Sequence, residues 1–297
     1  MNVTIIGRNN SGGLEKDKLI LTDLLLQNGM SVDFWDLDNT FIPVSEDTDL
    51  CIHLEIVNEQ YFGRRNILIP NQEWFYREWL QHLDRFDAVF CKSVYAANLF
   101  RQHHNNVKYT GFTSLDCYQE GDKLLECFHS SGSSKAKGTS VLVEALREYS
   151  YSRFHIVSSL ITAAPFDNDH LIFHGTLPEK AYNDCRNRCL VHIYPSMIEG
   201  FGHAINEAKA CGAVVLTTDY PPMNELTSDF LIPFAKEYVI PGRLGGIVEL
   251  HPLAIQASLQ AVLHREDLQE LGRSNRLSFL QNDQLFREQF MHALLTL

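Results

Sequence analysis

Two carboxylates, Glu199 and Glu207, flank a glycine pair in the stretch Glu199-Gly-Phe-Gly-His-Ala-Ile-Asn-Glu207. The stretch follows the apolar run Leu190-Val-His-Ile-Tyr194 and precedes Cys211-Gly-Ala-Val-Val-Leu216, so it reads as a strand end, a loop and a helix start. Glu199 then falls in the loop and Glu207 about two turns into the helix. Gly200 and Gly202 permit close backbone approach. Amides at a helix start, at the positive end of its dipole, favour a phosphate. A carboxylate farther along could accept both hydroxyls of a ribose. The plain alternative is a glycine-containing loop with two solvated glutamates.

The elements needed to hold such a loop recur along the chain. Short apolar runs at 3–6, 31–36, 50–54, 66–69, 87–91 and 107–110 alternate with helical patterns near 14–28, 72–83 and 93–103. Residues 111–121 break the rhythm and read as a linker. Strand runs resume at 124–128, 153–157, 171–173, 190–194 and 213–217, with helices from about 139 and near 178–188 and 203–211. Three helical patterns, 251–263, 266–281 and 284–296, close the sequence. This alternation predicts an α/β chain with parallel sheets covered on both faces, whose ligands lie beyond the carboxyl ends of the strands. The expected division is 1–116, 117–282 and a terminal helix, 283–297, packing back on the first domain.

The stretch Tyr194-Pro-Ser-Met-Ile-Glu-Gly-Phe-Gly-His-Ala-Ile-Asn-Glu207, continuing to Asp219, resembles the donor-site signature of family 4 retaining glycosyltransferases. Tyr220-Pro-Pro-Met-Asn-Glu-Leu226, Lys137-Gly-Thr-Ser-Val-Leu-Val-Glu-Ala145 and His174-Gly-Thr-Leu177 extend that resemblance. It implies a GT-B fold: two Rossmann-like doubly wound domains facing across a cleft, the first taking the acceptor and the second the nucleotide-sugar donor. By that resemblance Glu207 would bind the ribose and Glu199 the transferring sugar. The amides of Phe201, Gly202 and His203, beside Gly200, would hold sugar and diphosphate. Lys137 would neutralise the departing diphosphate, where a fixed cation lowers the barrier. Gly175 would lie in the base-holding loop, and Met223 and Asn224 in a donor-contacting loop. The family's Gly-Arg pair before the lysine is missing from His129-Ser-Ser-Gly-Ser-Ser-Lys135-Ala-Lys137, leaving Lys135 or the serines to substitute.

The first domain supplies further candidates. Gly7-Arg-Asn-Asn-Ser-Gly-Gly13 looks like the glycine loop of this fold, with Asn9, Asn10 and Ser11 able to touch sugar hydroxyls and Gly12 and Gly13 giving backbone access. His53 and Glu55 share one face of a strand; by the same resemblance His53 would match a sugar-proximal histidine of the family and be a catalytic candidate, or it is a core histidine. Asn71, Glu73 and Trp74 combine an amide, an acid and an aromatic ring suited to a sugar acceptor, and equally to a helix start. Thr113 and Ser114 stand at the domain's end. Asp36-Leu-Asp38 and Asp167-Asn-Asp169 mimic a metal-binding acid pair but read as turns.

Composition narrows the classes. A net charge of −12 over 297 residues argues against a nucleic-acid binder or a polybasic membrane anchor, both of which need a cationic face, although local basic patches and a peripheral membrane contact stay open. The opening residues read as a strand rather than a signal peptide, and no apolar run is long enough to span a bilayer. The seven cysteines contain no CxxC pair and read as reduced core thiols of a cytoplasmic protein. Cys185 and Cys189 lie one helical turn apart, as two zinc ligands could, but no second pair accompanies them; neither a metal nor a cofactor is expected. The reading is a metal-independent retaining hexosyltransferase of glycan or polysaccharide biosynthesis, using a UDP- or GDP-linked sugar and a hydroxyl acceptor. The alternatives are a non-catalytic nucleotide-sugar binder and an NAD-dependent oxidoreductase, the latter weakened because Gly7-x4-Gly-Gly13 is not GxGxxG.

Overall fold

A computed structural model describes residues 1–9, 12–39, 43–227 and 229–297. The chain divides into two compact units: Met1–Leu115 with Val239–Gly245 and Asn282–Leu297, and Asp116–Tyr238 with Gly246–Gln281. Asn10 and Ser11 lie outside the described residues.

The first unit holds β1 (Asn2–Gly7), α1 (Gly13–Gln27), β2 (Ser31–Asp36), β3 (Leu50–Leu54), β4 (Asn66–Ile69), β5 (Ala88–Cys91), α2 (Val94–Phe100) and β6 (Val107–Tyr109). Its sheet runs β2-β1-β3-β4-β5-β6, every pair parallel, so the order reverses between β1 and β3. The apolar runs seen in the sequence are buried on both faces, as a parallel sheet requires. Residues 72–83 depart from the helical expectation: a 3₁₀ helix starts only at Arg77 and runs to Arg85. The Asn71 side chain accepts from the Glu73 amide (3.0 Å), offering the backbone a turn instead of an α-helical start. Segment 239–245 docks on this turn, with Leu244 N–H donating to Phe75 O and Gly245 N–H to Gln72 O.

The second unit holds β7 (Leu124–Gly132), α3 (Thr139–Ala145), β8 (Phe154–Ser158), β9 (Leu171–Phe173), α4 (Glu179–Arg188), β10 (Cys189–Tyr194), α5 (His203–Ala210), β11 (Val214–Thr218), α6 (Met223–Leu226) and β12 (Phe230–Ile232). The ribbon β13 (Lys236–Val239) and β14 (Gly246–Glu249), then α7 (Pro252–Leu263) and α8 (Leu268–Leu295), complete the chain. The sheet order is β12-β11-β10-β7-β8-β9, again all parallel, and its direction of winding reverses between β7 and β10. Ile156, Ile193, Leu216, Leu142 and Ile255 are among the fully buried side chains that join this sheet to its helices.

The two terminal helices expected at 266–281 and 284–296 are one continuous helix, α8. Asn282-Asp283-Gln284 is polar but contains no breaker, and pairs four residues apart bridge the junction: Arg287 with Asp283 (2.9 Å) and Gln284 with Glu288 (2.9 Å). Its final turns belong to the first unit, where Phe290 meets Phe90 and Phe286 meets Phe112 edge-on or tilted at about 5 Å. Among the described residues no helix is long and apolar enough to cross a membrane.

Candidate functional site

In the second sheet the winding reverses between β7 and β10, and ligands of such sheets bind outside the strand ends at that point. The loops leaving those two strands bring together residues 62 positions apart. Lys137 Nζ lies 2.5 Å from Glu199 Oε1, and the Ser196 hydroxyl donates to the same oxygen at 2.7 Å. Glu199 is almost wholly buried, whereas the Lys137 side chain keeps a quarter of its surface exposed. The ion pair is therefore open to a ligand from the lysine side.

Backbone geometry explains the meeting. Gly138 has φ +71°, and a Cβ there would stand 2.0 Å from the Pro195 carbonyl oxygen. No other residue allows the α3 start to approach the β10 exit so closely. Met197 N–H donates to Ala136 O (2.8 Å), locking the two loops together. His129, fully buried towards the end of β7, holds both sides: Nδ1 bonds Ile193 O and Nε2 bonds the Thr139 hydroxyl, each at 2.8 Å. Burial pushes this imidazole down to about 4, and the nearby Lys137 charge acts the same way. The neutral ring donates at Nδ1 and accepts at Nε2.

Beyond Glu199 the chain enters α5 through Gly202, whose φ of +104° forms the helix cap. A Cβ at Gly202 would press to 2.9 Å on Leu226, the last residue of α6. Phe201 is buried, with its ring edge-on to His203 at 5.2 Å. Glu207 is also buried, and Arg186 Nη1 donates to its Oε2 at 3.0 Å. The Arg186 guanidinium sits 5.1 Å over the Tyr182 ring, and the Tyr182 hydroxyl pairs with Ser130 Oγ at 2.9 Å. Tyr182, Ser130, Ser158 and Gly175 line a cavity of about 400 Å³. A second space of about 310 Å³ is bordered by Lys135, Thr139 and Ser140. Arg186 and Tyr182 were missed by sequence reasoning, because an arginine and a tyrosine in a polar helix read as solvated.

The remaining candidates divide. Lys135 is exposed, and Asn224 Nδ2 donates to Asp219 Oδ1 (3.0 Å). Met223 is fully buried against Ile205, Val215 and Tyr220, so its side chain is core. Asp36 and Asp38 form a turn, with Asp38 N–H and Asn39 Nδ2 donating to Asp36.

Gly12, Gly13, His53, Asn71, Glu73, Trp74, Thr113 and Ser114 all belong to the first unit. Gly12 caps α1, which Gly13 opens. His53 is fully buried between Phe62 and Phe86 and is pushed down to about 4 by desolvation. It does not share surroundings with Glu55, as period-two alternation suggested. Glu55 follows β3 with φ +65°, a strained backbone for a non-glycine residue, and its Oε1 accepts from Asn71 Nδ2 at 2.9 Å. Burial pushes the Glu55 carboxyl up, while the neighbouring Lys92 opposes the rise. Lys92 is itself buried and ion-paired with Asp17. Trp74 is exposed under the Arg243 guanidinium, 3.9 Å from its ring centre, whereas Thr113 and Ser114 are buried.

Residues 160–244 match the family model described as glycosyl transferases group 1. A search among curated protein sequences finds no match. Among solved structures the chain is similar to sucrose-phosphate synthase from Thermosynechococcus elongatus (TM-score 0.70, 14% identity, covering 98% of this chain and 99% of that one). It is also similar to a glycosyltransferase from Rickettsia africae ESF-5 (0.70, 12%, 98% and 97%). Anabaena HepE, solved with UDP and glucose, matches at 0.68 with 15% identity over 99% of both chains. The two Rossmann-like units thus form a GT-B fold carrying a segment of the glycosyltransferase group 1 type.

Proposed function

We propose that the chain is a retaining glycosyltransferase of family 4 type whose transfer chemistry uses no metal, moving a hexose from a UDP- or GDP-linked donor to a hydroxyl acceptor. The observation that carries this reading is the Lys137–Glu199 pair, held at the winding reversal beside a glycine-opened helix start. Diphosphate gathers charge as it leaves. A lysine already fixed beside it stabilises that charge without reorganising at the moment of reaction. Glu199 faces the sugar while keeping Lys137 in place, and the start of α5 supplies amides and a positive dipole end for the phosphates. The nucleoside occupies the cavity walled by Gly175 and Tyr182, with Glu207 taking the ribose hydroxyls and Arg186 setting its orientation.

In the retaining course proposed here, the acceptor oxygen attacks the anomeric carbon on the face from which the diphosphate departs. The leaving phosphate takes the acceptor's proton, so no side chain has to act as base. The acceptor is assigned to the first unit, with Trp74 and Glu73 as its contacts; a cytoplasmic role in glycan biosynthesis fits the seven free thiols.

One observation favours a second reading, that of a nucleotide-sugar binder without turnover: the segment 129–137 carries no arginine to share the diphosphate charge with Lys137. Incubating the chain with a panel of UDP- and GDP-sugars and simple glycoside acceptors separates the two. Release of free nucleotide that rises with acceptor supports transfer. Binding of donor with no release under any pairing supports the second reading.

A further inference from the structure

Four potential ligands from distant parts of the sequence meet at the outer end of the second sheet. His155 lies on β8, His174 directly follows β9, Cys185 lies in α4 and Cys189 begins β10. The ligand atoms of His155, Cys185 and Cys189 all lie within 4.8 Å of one another. His155 Nδ1 and His174 Nε2 are 2.9 Å apart, with their rings nearly parallel. The edges of a zinc tetrahedron with nitrogen and sulfur ligands measure about 3.4–3.8 Å, so His155, Cys185 and Cys189 need only small side-chain movements to close on a metal, and His174, beside His155, completes the set by turning towards the cysteines.

The surroundings orient these atoms. His155 Nε2 lies 3.1 Å from Glu126 Oε2, and the carboxylate can only accept, so the ring carries its proton at Nε2 and turns the Nδ1 lone pair to the cluster. Arg188 Nε donates to the same carboxylate oxygen at 3.2 Å; its terminal nitrogen, 3.3 Å from His155 Nε2, is a donor and takes no proton from it. A carboxylate behind a histidine is the arrangement that holds metal-ligating imidazoles in place. Cys185, Cys189 and His155 are all buried, and His174 is the partly exposed member.

We propose that Cys185, Cys189, His155 and His174 form a structural zinc site. Binding releases the two thiol protons to solvent, and His174 carries its remaining proton on Nδ1 while Nε2 meets the metal. The closed set of four protein ligands leaves no position for substrate, which marks it as structural. It staples β8 and the β9 exit to the α4–β10 corner. His174 immediately precedes Gly175, so the metal also fixes one wall of the 400 Å³ cavity.

The test uses the full chain, stripped with a chelator and titrated with Co²⁺ and then Zn²⁺, while circular dichroism monitors folding. The expected result is about one metal per chain, with a cobalt–thiolate charge-transfer band that zinc abolishes. Cys185→Ser with Cys189→Ser loses the band, Cys117→Ser keeps it, and Glu126→Gln weakens zinc affinity about 10- to 100-fold. Should the double variant fail to fold, His174→Ala provides the second arm, with weaker binding expected and the thiolate band retained. A folded wild-type chain that shows no thiolate band would overturn the site. So would a band retained in the folded double variant, or unchanged affinity in both Glu126→Gln and His174→Ala.

Discussion

Each of the two sheets places a lysine–carboxylate pair near the carboxyl ends of its strands, and the pairs differ in exposure. In the first unit Lys92 follows β5 and pairs with Asp17 of α1; the two side chains are 5% and 1% exposed. In the second, Lys137 pairs with Glu199 and remains 25% exposed. In a sealed pair, removing one partner leaves the other charge buried and costs stability. An open pair keeps one partner available to a ligand. The same kind of sheet thus supports a structural charge cluster in one unit and a candidate reaction centre in the other.

The largest effect that separates the two is expected at Lys92. Lys92→Ala takes the lysine partner from the buried Asp17 carboxylate and should cost about 3–5 kcal/mol of stability, read from the denaturant midpoint. A loss no greater than that of an exposed lysine would break the comparison. Next comes Glu199→Gln, which keeps shape and removes charge. It should lower kcat for sugar transfer by about 10²- to 10³-fold while the denaturant midpoint stays close to wild type. A comparable fall in stability would make the second pair structural as well.

A smaller effect follows from the buried histidines. His53 in the first unit and His129 in the second both have folded-state values pushed from 6.5 down to about 4 by burial. Between those values the unfolded chain binds protons that the folded chain refuses. Their contribution to stability is therefore complete above about pH 6.5 and is lost as pH falls towards 4. Thermal melts across that window should show the decline, and His129→Gln should flatten its share. A profile left unchanged by His129→Gln would sink that assignment.

How far the sequence revealed this depends on whether the signal was local. Alternating apolar runs and helical patterns were legible because burial on both faces of a parallel sheet leaves an uninterrupted trace, as in Leu50–Leu54 and Cys189–Tyr194. The edge strand β12 and the ribbon β13–β14 left none, being short and partly or wholly exposed. Within the site, Lys137 and Glu199 were each singled out, but their contact depends on the approach of Gly138 to the Pro195 carbonyl, which no residue spacing records. Arg186 escaped notice because its partner Glu207 lies on another helix. The pair Cys185 and Cys189 showed no companions in the sequence because His155 and His174 come from β8 and the end of β9. Glu55 shows the opposite failure: strict alternation put it beside His53, and a left-handed backbone turned it towards Asn71.

The central claim is that Lys137 faces the diphosphate of a nucleotide-linked sugar. Calorimetric titration of UDP and GDP into the wild-type chain and Lys137→Ala tests it most directly. One nucleotide should bind the wild type, and the variant should bind it about 10- to 150-fold more weakly, the value of one charge-assisted hydrogen bond, with circular dichroism confirming that the variant is folded. Equal affinities for a nucleotide that binds, or no binding of either one by the folded wild type, would contradict the account.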